Sequence, residues 1–288
     1  MKTGTINLIS GILLLGGVGL VAYTTMQEED CSKANHTTLI LIDKTDSLGS
    51  DALGTAKQLV WDAIEKAPTY SRLIFKEIVG ESSTRSKPFV KEYCREIKPD
   101  GTTQLFAAED VVKKKWQDFK NEICGMASGD DELACNHPSR GDGVLDRESQ
   151  PSASSPILQR ITDSTRQFLT SSEQSWTLIV ITDWRQYDGK IDLHTRKCQK
   201  NRMPDYLDVS FLGSSNNAPD EKIFRVRGEQ SRPSQVISLF AARTSMTNDE
   251  ADCLQQFARG FIESQTGNVN FGTMIAPPKF EQLPQSPG

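Results

Sequence analysis

Two apolar runs in this chain each end on a carboxylate: Thr37 to Asp43 reads TTLILID, and Trp176 to Asp183 reads WTLIVITD. Lys44-Thr45-Asp46-Ser47 follows the first, so Asp43, Thr45 and Ser47 alternate along a D-x-[ST]-x-S loop. Few formal charges among several hydroxyls suit a hard divalent cation. Such a set leaves the ion short of ligands, so a carboxylate from another molecule can complete an oxygen-rich octahedral shell. Mg²⁺ is the default ion, with Mn²⁺ or Ca²⁺ as alternatives.

These residues act together only if the fold brings the ends of both runs to one place. Unbroken β-favouring runs of this kind read as strands buried on both faces of a parallel sheet. Ser50 to Lys66 carries Leu53, Ala56, Leu59, Val60, Ala63 and Ile64 at helical spacing, with Ser50 as the expected N-cap and Pro68 closing the segment. Further strands are expected at Arg72 to Val79, Pro88 to Ile97 and Val236 to Ala242, with short ones at 209–212 and 223–226 and an edge strand at Asn268 to Ile275. Further helices are expected at Glu109 to Ile123, Ile157 to Leu169 and Asn248 to Glu263, the last capped by Thr247 or Asn248. Gly125 to Pro156 has little periodicity and reads as a long exposed insertion, and 184–234 is irregular and polar. Strands alternating with helices define an α/β fold: a doubly wound, mostly parallel central sheet with helices on both faces. The carboxyl ends of its strands would form a shared crevice.

The loop Asp43-Lys44-Thr45-Asp46-Ser47 at the end of a buried strand resembles the metal-ion-dependent adhesion site of von Willebrand factor A domains. That resemblance implies a metal set of Asp43, Thr45 and Ser47 from the first loop, Ser155 of Ser154-Ser155-Pro156 as the middle hydroxyl with Ser154 open as its alternative, and Asp183 after the fourth strand. It covers roughly Thr37 to Phe261 and implies a protein-binding module that is not an enzyme. Four positions depart from the family pattern: Thr45 replaces the commoner Ser, Asp46 adds a carboxylate, Ser155 stands for Thr, and Asp183-Trp184 replaces Asp-Gly. The alternative is a metal-free structural component of an envelope complex. Asp43-Lys44-Thr45 also looks like the phosphorylated aspartate motif of the haloacid dehalogenase superfamily, in which the Asp attacks phosphate. Thr45, however, stands where that family's phosphatases carry an acid/base Asp, and no later acidic pair follows Asp183.

The amino-terminal residues set the expected compartment. No charge follows Lys2 until Glu28, and Ile6 to Tyr23 is an apolar stretch about 27 Å long as a helix. Lys2 and the α-amine precede the stretch while Glu28, Glu29 and Asp30 follow it, which places the remainder outside the cytoplasm, periplasmic or extracellular. A cleaved signal peptide competes with a retained single-pass anchor, although Val21-Ala22-Tyr23 is a poor cleavage match. The expected organisation is an anchor over 1–26, a stalk over 27–36, one domain over 37–275 with insertions near 125–156 and 184–234, and a disordered tail over 276–288.

All six cysteines, Cys31, Cys94, Cys124, Cys135, Cys198 and Cys253, follow the apolar stretch, and their even number suits up to three disulfides with the pairing open. Cys135-Asn136-His137 and His194 to Cys198 also carry zinc-ligand residue types, at spacings that match no strong finger pattern. The 38 acidic residues against 33 Lys and Arg give a net charge of −5, so nothing draws the chain toward nucleic acid. Phosphate-loop, serine-hydrolase-elbow and zinc-protease signatures are absent from the sequence.

Overall fold

The computed structural model describes residues 31, 34–68, 70–80, 88–95, 109–126, 135, 142–149, 152, 154–168, 175–187, 192–194, 197–204, 235–241, 246–266 and 271–275. Ala34–Gly288 form one compact unit and Met1–Lys33 another. The apolar stretch 6–23, the tail 276–288 and the short strands expected at 209–212 and 223–226 lie outside the described residues. Among the described residues no helix is long and apolar enough to cross a membrane.

The elements follow one another as β1 (His36–Asp43), α1 (Ser50–Glu65), β2 (Ser71–Ile78), β3 (Val90–Arg95), α2 (Glu109–Cys124), α3 (Ile157–Phe168), β4 (Ser175–Thr182), β5 (Gln235–Phe240), α4 (Asn248–Thr266) and β6 (Phe271–Ile275). The six strands form one sheet in the order β3-β2-β1-β4-β5-β6. Every neighbouring pair is parallel except β2 with β3, which runs antiparallel at the edge. This is the α/β architecture with a mostly parallel sheet that the alternating runs imply.

Side chains of a strand alternate between faces, and here each face has its own helical cover. Leu39 and Leu41 of β1, with Leu178 and Val180 of β4, pack against Ile157 and Ile161 of α3 and Leu254, Phe257 and Phe261 of α4. Ile40, Ile42, Ile179 and Ile181 point the other way, onto Ala56, Val60 and Ile64 of α1 and Phe119 and Ile123 of α2. That two-sided burial explains why β1 and β4 read as continuous apolar runs.

The helix starts are set by local chemistry. At α4 the Thr247 hydroxyl accepts the Glu250 N–H at 3.2 Å, and Asp249 and Glu250 lie in the first turn, where acidic side chains suit the helix dipole. At α1 the cap position is Gly49, with no side-chain bond, and Ser50 is already helical, which corrects the expected cap by one residue.

The exposed insertion expected over 125–156 is corrected in its described part. Val144, Leu145 and Asp146 form a buried 3-10 turn, and Cys124 is joined to Cys135. Aperiodic sequence looked like solvent-exposed loop, but two buried lysines anchor it. Lys44 Nζ donates to the carbonyls of Leu145 and Arg147, both at 2.9 Å, and Lys57 of α1 pairs with Asp146 at 2.7 Å. Part of the region after β4 also belongs to the core: Trp184, Leu193 and Cys198 pack with α4, while Lys200 to Arg202 are exposed. Cys198 is bonded to Cys253 of α4, 55 residues on. Closing a loop of that length contributes about 4 kcal/mol in the chain-entropy account.

Candidate metal centre

The sheet order turns back between β1 and β4: the chain moves outward from β1 to β2 and β3, then resumes on the other side. Open α/β sheets bind ligands at such a point, outside the carboxyl ends of the strands. Asp43 is the last residue of β1, and Asp183 directly follows β4. Since Ile42 pairs with Ile181, the register sets Asp43 beside Thr182, one residue short of Asp183.

Asp43 is buried, and both its oxygens are engaged. Oδ1 accepts the Thr45 N–H at 2.9 Å and the Thr45 hydroxyl at 2.7 Å, and Oδ2 accepts the Thr182 hydroxyl at 2.7 Å. Thr45 Oγ1 lies 2.8 Å from Ser155 Oγ. Because the Thr45 proton already points to Asp43, Ser155 is the donor in that pair. Asp183 Oδ1 accepts the Arg185 N–H at 2.9 Å. Asp43, Thr45, Ser155 and Asp183 are all buried, 3–7% exposed. Ser47, two residues past Thr45 in the same loop, is exposed. Of the two serines open in the sequence, Ser155 rather than Ser154 makes the hydroxyl contact with Thr45.

Burial, and after it the charge of Asp183, raise the Asp43 carboxyl from its ordinary 3.8 to about 6 against the opposing hydrogen bonds from Thr45 and Thr182. Two carboxylates withdrawn from water and repelling each other favour either a shared proton or a cation. The two carboxylates and the hydroxyls of Thr45 and Ser155, all oxygen, are the chemistry of a hard cation such as Mg²⁺. Asp43, Thr45, Ser155 and Asp183 are therefore the residues fit to hold one.

The loop after β4 fixes this geometry. Trp184 is buried at a left-handed φ of 58°, a conformation that favours glycine and is strained for a tryptophan. Its N–H donates to Thr182 Oγ1 at 3.1 Å, and its indole nitrogen donates to Ser238 Oγ of β5 at 2.9 Å. Arg185 forms a buried ion pair with Glu250 of α4 at 2.8 Å. The Gln186 side-chain oxygen accepts the Leu158 N–H at the start of α3, at 2.9 Å. Ser155 and Tyr187 exchange two backbone hydrogen bonds. At the exposed rim, His194 stands 3.8 Å from Asp46.

Thr182, Lys44 and Arg185 are parts of this arrangement that sequence reasoning missed. Thr182 was readable in principle, since aligning the two aspartate-ended runs by their apolar residues places it next to Asp43. Lys44 and Arg185 gave no comparable signal, because buried charges are uncommon and their partners lie far along the chain.

The zinc alternative loses its thiolates. Cys135 and Cys198 are in disulfides with Cys124 and Cys253. Cys31 and Cys94 are disulfide-bonded as well, and among the described residues there is no free cysteine. Glu92, beside Cys94 in the chain, is held by Arg72 through two hydrogen bonds of 2.6 and 2.8 Å. No protein-family model matches this chain, and no curated protein matches it.

Proposed function

We propose that this chain is a membrane-anchored von Willebrand factor A-like module that binds another protein through a divalent cation, with the domain outside the cytoplasm. The observation that carries the reading is the meeting of Asp43, Thr45, Ser155 and Asp183 in one buried oxygen cluster at the point where the strand order reverses. A cation there relieves the repulsion between the carboxylates. The resulting site has a low formal charge, which leaves the ion able to accept a carboxylate from a partner. Trp184 supports the likeness in an unexpected way: it occupies the place where the resembled pattern has glycine, and its backbone takes the glycine-favouring conformation. Disulfide bonding of the cysteines supports an oxidising compartment. The apolar stretch 6–23 supports the anchor.

The decisive experiment titrates the full chain with Mg²⁺ and with Mn²⁺ by calorimetry, beside Asp43→Ala. The expected result is binding to the wild type that disappears in the variant, together with loss of cation-dependent partner capture. A folded wild type that takes up neither ion at millimolar concentration would defeat the reading. It would favour a metal-free structural component, for which the hydrogen bonds already satisfying both Asp43 oxygens are the supporting observation. Those same bonds, with the burial of Asp43, give little support to its use as a phosphate-attacking nucleophile.

A further inference from the structure

Lys44 stands next to Asp43 in sequence, yet its side chain serves a different part of the molecule. It is 3% exposed, and its ammonium donates to the carbonyls of Leu145 and Arg147. Its backbone N–H donates to Ile78 O at the end of β2, which fixes the root of the side chain on the sheet. The 3-10 turn it grips is held a second time by the buried Lys57–Asp146 pair. From this turn the chain passes close over Gly80, where even a Cβ would overlap Ser152 and the carbonyl of Ser154. It then reaches Ser155, whose hydroxyl donates to Thr45. One segment, 144–155, thus crosses the carboxyl ends of the central strands, clamped by a neighbour of Asp43 at one end and supplying a candidate cation ligand at the other.

We infer that Lys44 is a positioning residue for the cation site, holding segment 144–155 so that Ser155 completes the oxygen cluster around Asp43 and Thr45. The inference rests on the cation-site reading above and adds to it the residue that makes the middle ligand available. The physical requirement is simple. Ser155 comes from between the 3-10 turn and α3, where the described residues form no helix or strand, so its place relative to β1 depends on what pins that stretch. A buried ammonium shared by two main-chain carbonyls is a strong, directional pin. Lys44→Met keeps the aliphatic stem and removes the donors, which leaves those carbonyls to find other partners.

The test uses the full chain and Mn²⁺ alone, titrated calorimetrically into the wild type, Lys44→Met, Ser155→Ala and the double variant. Residues that orient metal ligands from outside the coordination shell change affinity by about 10–100-fold, and Lys44→Met is expected to weaken Mn²⁺ binding within that range. Because Lys44 acts through Ser155, the double variant should bind no more weakly than the weaker single one. Wild-type affinity in Lys44→Met, or losses that simply add, would overturn the inference while leaving the cation site intact. A wild type that takes up no Mn²⁺ removes both. If Lys44→Met does not fold, hydrogen exchange on the wild type decides. Mn²⁺ should then increase protection of the Asp146 and Arg147 amides, which bond to Gly143 and Val144, together with that of Ser155. Protection confined to Ser155 and Tyr187 would count against the clamp.

Discussion

Asp43→Asn should make the metal-free protein more stable at neutral pH, not less. In the folded chain the Asp43 carboxyl titrates at about 6, raised by burial and then by Asp183. A folded-state pKa above the unfolded one means that the native protein binds the proton more tightly. The stability linked to this group is therefore fully present below its ordinary value of 3.8 and is lost as pH rises through about 6. At pH 7.5 in the presence of a chelator, the charged carboxylate weakens the fold by on the order of 2–3 kcal/mol. Asparagine keeps an oxygen for Thr45, and the Thr182 hydroxyl can rotate to accept from the new amide, so the variant removes the charge with little else. Urea unfolding with chelator should give a higher midpoint for Asp43→Asn at pH 7.5, and the difference should shrink toward pH 4. Added Mg²⁺ should raise the midpoint of the wild type alone, since a ligand that binds the native state stabilises it by mass action. Equal midpoints at both pH values would show that Asp43 is not the strained carboxylate described above.

Lys57→Met should be severely destabilising, by about 3–5 kcal/mol, because it strips the ion-pair partner from a carboxylate withdrawn from water. The Lys57 and Asp146 side chains are 6% and 1% exposed and 2.7 Å apart. The cost comes chiefly from the charge left behind, so Lys57→Met combined with Asp146→Leu should recover most of the loss. Chemical denaturation of the two singles and the double decides this. A double variant as unstable as Lys57→Met alone would mean that shape, rather than charge, holds the 3-10 turn in place.

Much of the framework was legible because β1 and β4 obey a simple rule: a strand covered on both faces must be apolar at nearly every position, and both runs stop at an aspartate. The periodic helices were equally readable, since α1 and α3 each place their apolar residues on one face. Asp43, Thr45 and Asp183 could be named as candidates because oxygen-bearing residues at the ends of apolar runs have a chemical meaning of their own, whereas Ser155 was named only through the family resemblance, with Ser154 open beside it. Ser47 fits the same pattern, but local spacing does not tell which hydroxyls of a loop turn inward, and the side chain is exposed. The segment around Val144 was misread because its burial is decided by Lys44 and Lys57, about a hundred residues away, and no local pattern records such a contact. The strained backbone at Trp184 was invisible for the same reason: its surroundings on β5 and α4, not its own preference, hold it there.

The Cys198–Cys253 bond has a consequence for proteolysis. The two cysteines bracket residues 205–234, and β5 and α4 follow that stretch. A single cut between them would divide the polypeptide without dividing the molecule, because the carboxyl-terminal piece would still be tied by sulfur to the piece carrying β1 to β4. Under non-reducing electrophoresis such a nicked chain should migrate as one species, and it should separate into two when thiol is added. Covalent retention of the last third of the sheet lets the domain remain whole when the segment between the cysteines is cleaved.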